Sequence, residues 1–511
     1  MSHEFDPWRS MTTAADVVAL SHAAPARLAA VQAQRLAVLV AAARKAPLHA
    51  RRLASLPDDV PLAGLPVMDK ALLMAHFDDA LTERDVDLAR ARAFVRDLTR
   101  VGWPMNGRYA VWESSGSSGS PGLFVHDPAA LAVYDALEAL RPGWADPRAS
   151  WMGAAPGARM AFVGAIDGHF ASFASVQRLR RLNPWMAPML RSFSILQPLP
   201  ELLAQLGAWQ PTRLASYPTA AALLASCQRQ GLLDLRLSQV MTGGETLGPV
   251  QREAISSAFG CAVRNSYGAS EFLTIAAECA HESLHVNADW VILEPVDRHL
   301  RPVPEGSFSH TTLLTNLANH VQPLLRYDLG DRVRFVPGRC ACGSALPVIE
   351  VQGRQDDALH LRGARGQWVT LLPMALSTVL EDEAGVFDFQ LCQHDARTLV
   401  LRLGAAEEKG GWARCREVLQ RYAAQQGATA LRLRHDPDTP PQRGRSGKVQ
   451  RVVAHAGVKP DAAGRPRRRR GGAAGGKGAA RSLSARRTRP TRARSTTRPR
   501  ARRRSRHGRG T

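Results

Sequence analysis

The stretch LSQVMTGGETLGPVQREAISSAFGCAVRNSYGASE (residues 237–271) holds the pattern that decides the fold. An apolar run, Leu237–Met241, predicts a strand that ends in a Thr-Gly-Gly-Glu turn, and Val250–Phe259 has the pattern of a helix. Gly260 ends that helix, and Ala262–Asn265 predicts a second strand. A strand, a helix and a strand in this order indicate parallel strands joined by a crossover helix.

The same alternation is present upstream of that stretch. Met160–Val163 and Arg213–Ser216 predict strands. Glu201–Trp209 and Ala220–Gln230 predict helices, the second of which stops at Gly231. We therefore expect a sheet of parallel strands with helices packed on it.

A smaller unit is predicted after residue 353. Asp388–Cys392 and Thr398–Leu403 predict strands, a helix follows around Trp412–Gln425, and Ala430–Arg434 predicts another strand. This β-β-α-β order indicates a compact α+β unit rather than a continuation of the first sheet.

The predicted fold class is α/β, with a large N-terminal domain of parallel-rich sheets and helices, a small mobile C-terminal α+β lid domain and a disordered basic tail. The expected boundaries are 1–100 for the helical N-terminal part of the large domain, 101–353 for its core, 354–458 for the lid and 459–511 for the tail.

The positive charge of the chain is concentrated in that tail. The chain carries a formal charge of +22, and residues 459–511 hold 20 Lys and Arg against one acidic residue, which leaves +3 for residues 1–458. With almost no large apolar side chain, the tail cannot offset its ordering entropy. We expect either weak, salt-sensitive binding of nucleic acid or another anionic surface, or a solvated appendage without a partner.

The N-terminus and the cysteine content both point to the cytoplasm. The first ten residues are mixed in charge, and the early apolar stretch Leu36–Ala43 is too short to span a bilayer, so no leader and no membrane span are expected. Seven cysteines in 511 residues do not suggest a disulfide framework.

Short polar stretches stand where several strands should end, which is where parallel sheets bind ligands. They are TGGETL (242–247), NSYGASE (265–271), RYDLGDR (326–332) and GRQDD (353–357). Glycine permits close backbone approach, and carboxylates bind ribose hydroxyls or a magnesium ion. Each stretch alone is usually just a turn.

The Ser/Gly/Pro stretch 114–122 (SSGSSGSPG) has two readings. It is either a flexible linker or a loop whose inward-facing N–H groups and hydroxyls hold phosphate oxygens. It sits inside a chain whose flanks look folded, which favours the loop. PQRGRSGKVQRV (441–452) adds one lysine in a glycine-bounded turn.

In this order and at these spacings, the six stretches resemble the motifs of the adenylate-forming enzyme superfamily, which includes acyl-CoA synthetases, luciferases and peptide synthetase adenylation domains. LPVMDKALLMAHFDD (65–79) and AAECAHESLHVNADWVILEPVD (276–297) are typical of its branch of phenylacetate–CoA ligases and related coenzyme synthetase-like proteins. The resemblance covers roughly residues 30–455.

The resemblance implies a nucleotide site whose residues match the family motifs. The implied nucleotide-binding residues are Ser114, Ser115, Gly116, Ser117, Ser118, Gly119, Gly243, Gly244, Glu245, Asn265, Ser266, Tyr267, Gly268, Asp331 and Arg354. Asp331 would hold the ribose hydroxyls, with help from Arg354, which could instead be a surface ion pair. Ser120 stands where many members have Lys, a departure expected to weaken pyrophosphate binding without loss of function.

The resemblance also implies the catalytic residues. Ser270 would contact the α-phosphate, Glu271 would bind Mg²⁺, and Lys448 would bridge the acid and the α-phosphate. Lys448 could instead be a solvated turn residue. Asp356 would be the hinge about which the lid rotates between the two half-reactions.

The implied activity is an ATP-dependent carboxylate–CoA ligase that works through an acyl-adenylate, with a family-level expectation of an aryl or arylacetic acid. ATP, Mg²⁺ and CoA are the expected cofactor and co-substrates, and the chain would be a monomer or a homodimer. Two alternatives stay open: an adenylyltransferase or acyl transfer to a non-CoA acceptor, and an inactive nucleic-acid-binding homologue.

A structural zinc site is a separate expectation. Cys340 and Cys342 form a Cys-Ala-Cys stretch, and Cys279 lies in a segment that also holds His281 and His285. Two Cys with a distant Cys/His pair match a tetrahedral zinc set. We favour Cys279, His285, Cys340 and Cys342, with His281 as the competitor to His285. The alternative is that these are ordinary thiols in a reducing cytosol.

Overall fold

A computed structural model describes residues 5–57, 60–114, 121–141, 158–352, 357–404, 407–442, 449–455 and 458. All of them belong to one compact unit, Met1–Pro460. The Arg-rich tail lies outside the described residues.

The α-helices of the described residues are α1 Pro7–Ser21, α2 Pro25–Ala43, α3 Pro47–Leu53, α4 Lys70–Ala75, α5 Leu88–Arg96, α6 Pro128–Leu140, α7 Ala171–Leu182, α8 Leu199–Trp209, α9 Pro218–Arg229, α10 Pro249–Phe259, α11 Pro373–Thr378 and α12 Glu408–Gln425. The strands are β1 Ala110–Glu113, β2 Leu123–His126, β3 Met160–Gly164, β4 Leu190–Ser194, β5 Arg213–Ser216, β6 Gln239–Thr242, β7 Ala262–Ala269, β8 Phe272–Glu278, β9 Leu284–Val286, β10 Val291–Val296, β11 Thr311–Asn316, β12 Tyr327–Asp328, β13 Arg332–Phe335, β14 Val348–Gln352, β15 Leu359–Arg362, β16 Trp368–Leu371, β17 Phe389–Gln393, β18 Thr398–Leu403, β19 Arg432–His435 and β20 Val452–Val453.

A nine-stranded sheet carries the site, in the order β13-β14-β9-β8-β7-β6-β5-β3-β4. Strands β3 to β7 pair in parallel, as the alternating pattern predicted, so the α/β class is confirmed. The other half is antiparallel, which the sequence pattern did not predict. The cause is local: only two residues, Ser270 and Glu271, separate β7 from β8, and so short a connection permits only antiparallel pairing.

The helix ends follow from residues at defined positions. Helix α10 begins with Pro249 in its first turn and ends at Gly260, whose φ of +62° is the left-handed conformation that glycine adopts without a Cβ clash. Ile255 and Phe259 face inward from this helix and join the apolar core beneath the parallel strands. The burial of these side chains holds α10 against the sheet and so fixes the position of the turn at the carboxyl end of β6.

The C-terminal region contains the predicted β-β-α-β order, built from β17, β18, α12 and β19. Strand β20 adds in parallel to β17 and completes a four-stranded sheet. The hairpin β15–β16 and helix α11 precede it and were not predicted from the sequence. Gln426 donates to the Leu196 carbonyl at 2.7 Å, so this region contacts the segment between β4 and α8. The domain boundaries stay predictions.

The expected helical start is present as α1 to α5. Among the described residues one helix, α2, is long and apolar enough by length and composition to cross a membrane, with 22% of its most apolar window buried. Gln32 and Arg35 of this helix donate to the carbonyls of Ala288 and Asp289, each at 2.7 Å. These bonds, together with the buried Leu39, make α2 a packed helix of the fold.

Candidate functional site

A cavity of about 650 Å³ opens where β6 and β7 end, and it lies within the size range of small-molecule sites. The residues predicted from the sequence that line it are Ser114, Gly244, Glu245, Asn265, Ser266, Tyr267, Gly268, Ser270, Glu271 and Asp331. Motifs that lie far apart in the sequence therefore meet in one place, at the carboxyl ends of parallel strands.

The turn after β6 packs too tightly for larger residues. A Cβ on Gly243 would lie 2.9 Å from the Ser266 hydroxyl, and Gly244 has φ +78° with the Tyr217 ring 3.0 Å from its Cβ position. The Glu245 carboxylate accepts from the Thr219 N–H and hydroxyl, each at 3.0 Å, at the start of α9. A negative charge at a helix N-terminus is stabilising, so the Glu245 carboxylate links this turn to α9.

Tyr267 and Asp331 form a direct pair across the cavity. The tyrosine hydroxyl donates to the Asp331 carboxylate at 2.9 Å. Burial, reinforced by the adjacent charge of Asp331, raises the pKa of Tyr267 well above its ordinary value. The phenol therefore stays a donor, and the carboxylate retains acceptor capacity for further hydroxyl groups.

Glu271 is a further carboxylate that lines the cavity. Burial raises its pKa, and the negative charge of Asp331 acts in the same direction, whereas a hydrogen bond from Tyr327 and the charge of Lys70 lower it. A cation bound to the Glu271 carboxylate oxygens would offset the free-energy cost of burying that carboxylate in its ionised form. The Glu271 carboxylate offers the hard oxygen donors that fit Mg²⁺.

Ser270 is held by hydrogen bonds to both its backbone and its side chain. Its carbonyl accepts from the indole N–H of Trp112 at 2.8 Å, and its hydroxyl donates to the Glu113 carbonyl at 3.3 Å. Burial raises the pKa of the Glu113 side chain to about 7, and the charge of Glu381 adds to that shift. These contacts join the β7–β8 turn to the end of β1, which leads directly into the 114–122 stretch.

An ion pair between Arg252 and Glu278 lines the cavity next to Asn265. The Arg252 guanidinium donates to the Glu278 carboxylate, which also accepts from the Asn265 backbone N–H at 2.9 Å. The Asn265 side chain accepts from the Thr242 hydroxyl at 3.0 Å. Arg252 and Glu278 both line the cavity and had no predicted role.

Lys70 is a cavity residue that sequence reasoning missed. It lies in the 65–79 stretch that carries part of the family resemblance, but no role was assigned to it. The Met68 N–H donates to the Arg326 carbonyl at 3.2 Å, and the Asp328 N–H donates to the Met68 carbonyl at 2.8 Å, which brings Lys70 to the cavity. A Cβ on Gly122 would lie 3.1 Å from the lysine Cδ. A cation thus stands at the base of the Ser/Gly/Pro stretch.

That stretch is described only at its ends. The Ser114 N–H donates to the Gly122 carbonyl and the Gly122 N–H donates to the Ser114 hydroxyl, both at 2.9 Å, so the two ends are pinned together. The predicted residues that lie outside the described part of the chain are Ser115, Gly116, Ser117, Ser118, Gly119, Ser120, Arg354, Asp356 and Lys448.

Four predicted metal ligands lie in one cluster. Single ligand atoms of Cys279, His285, Cys340 and Cys342 all fall within 4.8 Å of one another. The Cys279 and Cys340 sulfurs are 3.7 Å apart, and the Cys342 sulfur is 3.2 Å from the His285 Nε2. The structure thus groups His285 with the thiols, and His281 contributes a backbone N–H to the Cys279 sulfur at 3.4 Å.

The donor set of this cluster fits zinc. Sulfurs at about 2.3 Å from a tetrahedral zinc would lie about 3.8 Å apart, close to the observed separation. The His285 Nδ1 lies 2.9 Å from the Leu346 carbonyl, which leaves Nε2 facing the thiols. Burial alone would raise the pKa of Cys340, but hydrogen bonds from the Cys342 backbone, Ser283 and His285 lower it to about 6.

Two structures of 2-hydroxyisobutyryl-CoA ligase match the chain over 85% of its length and 91% of theirs. One, in complex with 2-HIB-AMP and CoA in the thioesterification state, aligns with a TM-score of 0.53 at 22% identity. The other, a postadenylation complex with R3-HIB-AMP, aligns with a TM-score of 0.50 at 21% identity. The chain has the fold of the adenylate-forming enzymes.

Sequence comparison adds a partial match. Protein CapK of Staphylococcus aureus is 28% identical over 212 residues, which are 39% of this chain and 43% of CapK. The match therefore spans less than half the length of that curated relative. No protein-family model matches the chain.

Proposed function

We propose that this protein is an ATP-dependent acid–thiol ligase that joins a carboxylic acid to CoA through an acyl-adenylate. The observation that carries the proposal is the convergence of Asp331, Tyr267, Glu271 and Ser270 on one cavity in this fold. Both 2-hydroxyisobutyryl-CoA ligase structures hold an acyl-AMP, and one of them also holds CoA, which supports this activity for the present chain.

In this reaction the carboxylate of the acid attacks the α-phosphorus of ATP, and the bond to pyrophosphate breaks. Asp331 accepts hydrogen bonds from the ribose hydroxyls in addition to the one from the Tyr267 hydroxyl. The Ser270 hydroxyl exchanges its hydrogen bond to the Glu113 carbonyl for one to the α-phosphate, and the bond from the Trp112 indole N–H to the Ser270 carbonyl fixes the direction of its backbone. Glu271 would hold Mg²⁺, which would neutralise charge on the leaving phosphates.

The positive charges expected at the reacting phosphates come from two lysines. Lys448 bridges the acid and the α-phosphate and stabilises charge that develops in the transition state. Lys70 faces the same cavity beside Gly122 and supplies charge where Ser120 lacks it. In the second step the CoA thiolate attacks the acyl carbonyl and AMP leaves.

A panel of carboxylic acids tests the proposed function. The full chain is incubated with MgATP and each acid, and pyrophosphate and AMP are measured with and without CoA. We expect pyrophosphate release with one acid class, aryl or arylacetic, and CoA-dependent release of AMP. Pyrophosphate without CoA-dependent AMP would indicate an adenylyltransferase or another acceptor. No pyrophosphate with any acid would refute the ligase.

Lys70 gives a prediction that depends on its position in the cavity. Replacing it with methionine keeps the length of the side chain and removes the charge. We expect the KM for ATP to rise about tenfold, because a charge near phosphate oxygens contributes on the order of 1 kcal/mol or more even in a solvated cavity. Lys70→Arg should retain most of the affinity. An unchanged KM for ATP in Lys70→Met would show that Lys70 does not face the phosphates.

We also propose that Cys279, His285, Cys340 and Cys342 hold a structural zinc ion. Four protein donors would fill its coordination, which leaves no position for a substrate. Glu282 and Ser283, which lie between Cys279 and His285 in the sequence, line the nucleotide cavity. The proposed ion would therefore stabilise one wall of that cavity.

A further inference from the structure

Three buried amide side chains lie beneath the nucleotide cavity at a spacing of three residues. Asn316, Asn319 and Gln322 are 0%, 1% and 0% exposed. We call these three residues the amide ladder. A buried amide is costly unless its hydrogen-bonding groups are satisfied, so the partners of each one indicate what the ladder does.

Asn316 holds the backbone of the predicted magnesium ligand. Its Nδ2 donates to the Glu271 carbonyl at 2.9 Å and to the Tyr134 hydroxyl at 2.9 Å. Its Oδ1 accepts from the N–H groups of Ala318 and Asn319 at 3.0 and 3.2 Å. Both donors and the acceptor are therefore used, and the side chain has one orientation.

The other two amides hold the strand that follows the 114–122 stretch. Strand β2 pairs with β1 along one edge. On its other edge, Asn319 donates to the Val125 carbonyl at 2.8 Å, and Gln322 accepts from the Val125 N–H at 2.9 Å. Gln322 also donates to the Leu123 carbonyl at 3.4 Å. The two side chains thus take the place of a third strand.

One seven-residue segment, 316–322, therefore fixes two separate parts of the cavity in a common frame. The first is the β7–β8 turn with Glu271, and the second is the exit of the stretch that begins at Ser114. Metal ligands lose affinity when the groups that orient them are removed, commonly by about 10- to 100-fold. Small displacements of reacting groups have comparable effects on rate.

We propose that Asn316 is a positioning residue for metal–nucleotide binding, whose amide fixes the Glu271 backbone so that its carboxylate faces the cavity, with Asn319 and Gln322 holding β2 in the same frame. This role rests on the proposed function, because it concerns the same nucleotide site. It is distinct from a purely structural role, which would lower stability and leave the affinity for the metal–nucleotide unchanged.

The test measures binding, so the acid need not be known. The full chain is titrated with Mn²⁺ and the non-hydrolysable nucleotide β,γ-methylene ATP, and bound Mn²⁺ is followed by electron paramagnetic resonance. We expect Asn316→Ala to raise the Kd about tenfold. Tyr134→Phe keeps the ring and removes one partner of Asn316, so it should raise the Kd about threefold, and it decides the matter if Asn316→Ala does not fold.

Asn287→Ala is the matched control. Asn287 is 1% exposed and donates to the Thr274 carbonyl of β8 at 2.6 Å, and its described hydrogen bonds do not involve Glu271. It should lower the melting temperature about as much as Asn316→Ala and leave the Kd within about twofold. Equal Kd values for the two alanine variants would overturn the positioning role and leave the ligase intact. No Mn²⁺–nucleotide binding by the unchanged chain would overturn both.

Discussion

The double variant Cys340→Ser/Cys342→Ser should lose its zinc and melt at a markedly lower temperature than the unchanged protein. We expect about one equivalent of zinc in protein purified without chelators, because the four donor atoms are already grouped at distances that suit a tetrahedral ion. Binding energy at a structural zinc site contributes directly to folding and reaches about 10 kcal/mol in small zinc domains. In this larger unit we expect a fall of about 10 °C.

Metal analysis and thermal melting with and without a chelator check this result. Cys261→Ser/Cys392→Ser is the matched control, because both thiols are half-buried and belong to no grouped ligand set among the described residues. The control should keep its zinc, and chelator should lower its melting temperature as it does that of the unchanged chain. Protein that carries no zinc after chelator-free purification would remove the metal from the site and leave four ordinary thiols.

The parallel half of the sheet was predictable because its signals are local. Each strand there is a short apolar run, each helix has a recognisable end such as Gly231 or Gly260, and the order of elements fixes the parallel pairing. The antiparallel half was not predicted, since it depends on the two-residue turn at Ser270 and Glu271. The sequence shows the residues of that turn as part of a motif, but it does not show that the chain reverses direction there.

The grouping of the metal ligands shows how far spacing alone can go. Cys340 and Cys342 were predicted as ligands because they are two residues apart, and Cys279 because His281 and His285 lie close to it in the sequence. The sequence favoured His285 and kept His281 as the competitor, and the structure groups His285 with the thiols because β9 pairs with β14, which places Val348 opposite His285. A strand pairing between distant segments carries no local sequence signal.

Lys70 and the amide ladder were missed for the same reason. Lys70 reaches the cavity because residues 68 and 326–328 exchange backbone hydrogen bonds across more than 250 positions of the chain. Asn319 and Gln322 bind β2, almost 200 residues upstream. Polar residues at a spacing of three, without a periodic apolar face, predict a loop when they are considered alone.

Replacing Lys448 with alanine should slow adenylate formation by about 100-fold or more, which is the range seen when one preorganised charge is removed from a transition state. Thioester formation from acyl-adenylate supplied directly should be largely spared, because the lid that carries Lys448 is expected to rotate about Asp356 between the two half-reactions. Pyrophosphate release and thioester formation, each measured in a single turnover, separate the two effects. Lys448 lies outside the described residues, so this prediction rests on the sequence motif.

The described residues that follow Lys448 have contacts of their own. Arg451, three residues after Lys448, lines the cavity and forms a buried ion pair with Glu381. Gln450 and Ala454 both donate to the Asp357 carboxylate, at 3.2 and 3.0 Å, and Asp357 directly follows the predicted hinge.

These contacts anchor the residues after Lys448 independently of its own charge, so Lys448→Ala should fold normally. Arg445→Ala, which removes a cation three residues earlier in the sequence, is the matched control and should change the rate of adenylate formation less than about threefold. An equal loss of both half-reactions in Lys448→Ala would contradict a role confined to adenylate formation. It would indicate instead that the lysine supports the structure of the turn, and that the charge at the phosphates comes mainly from Lys70.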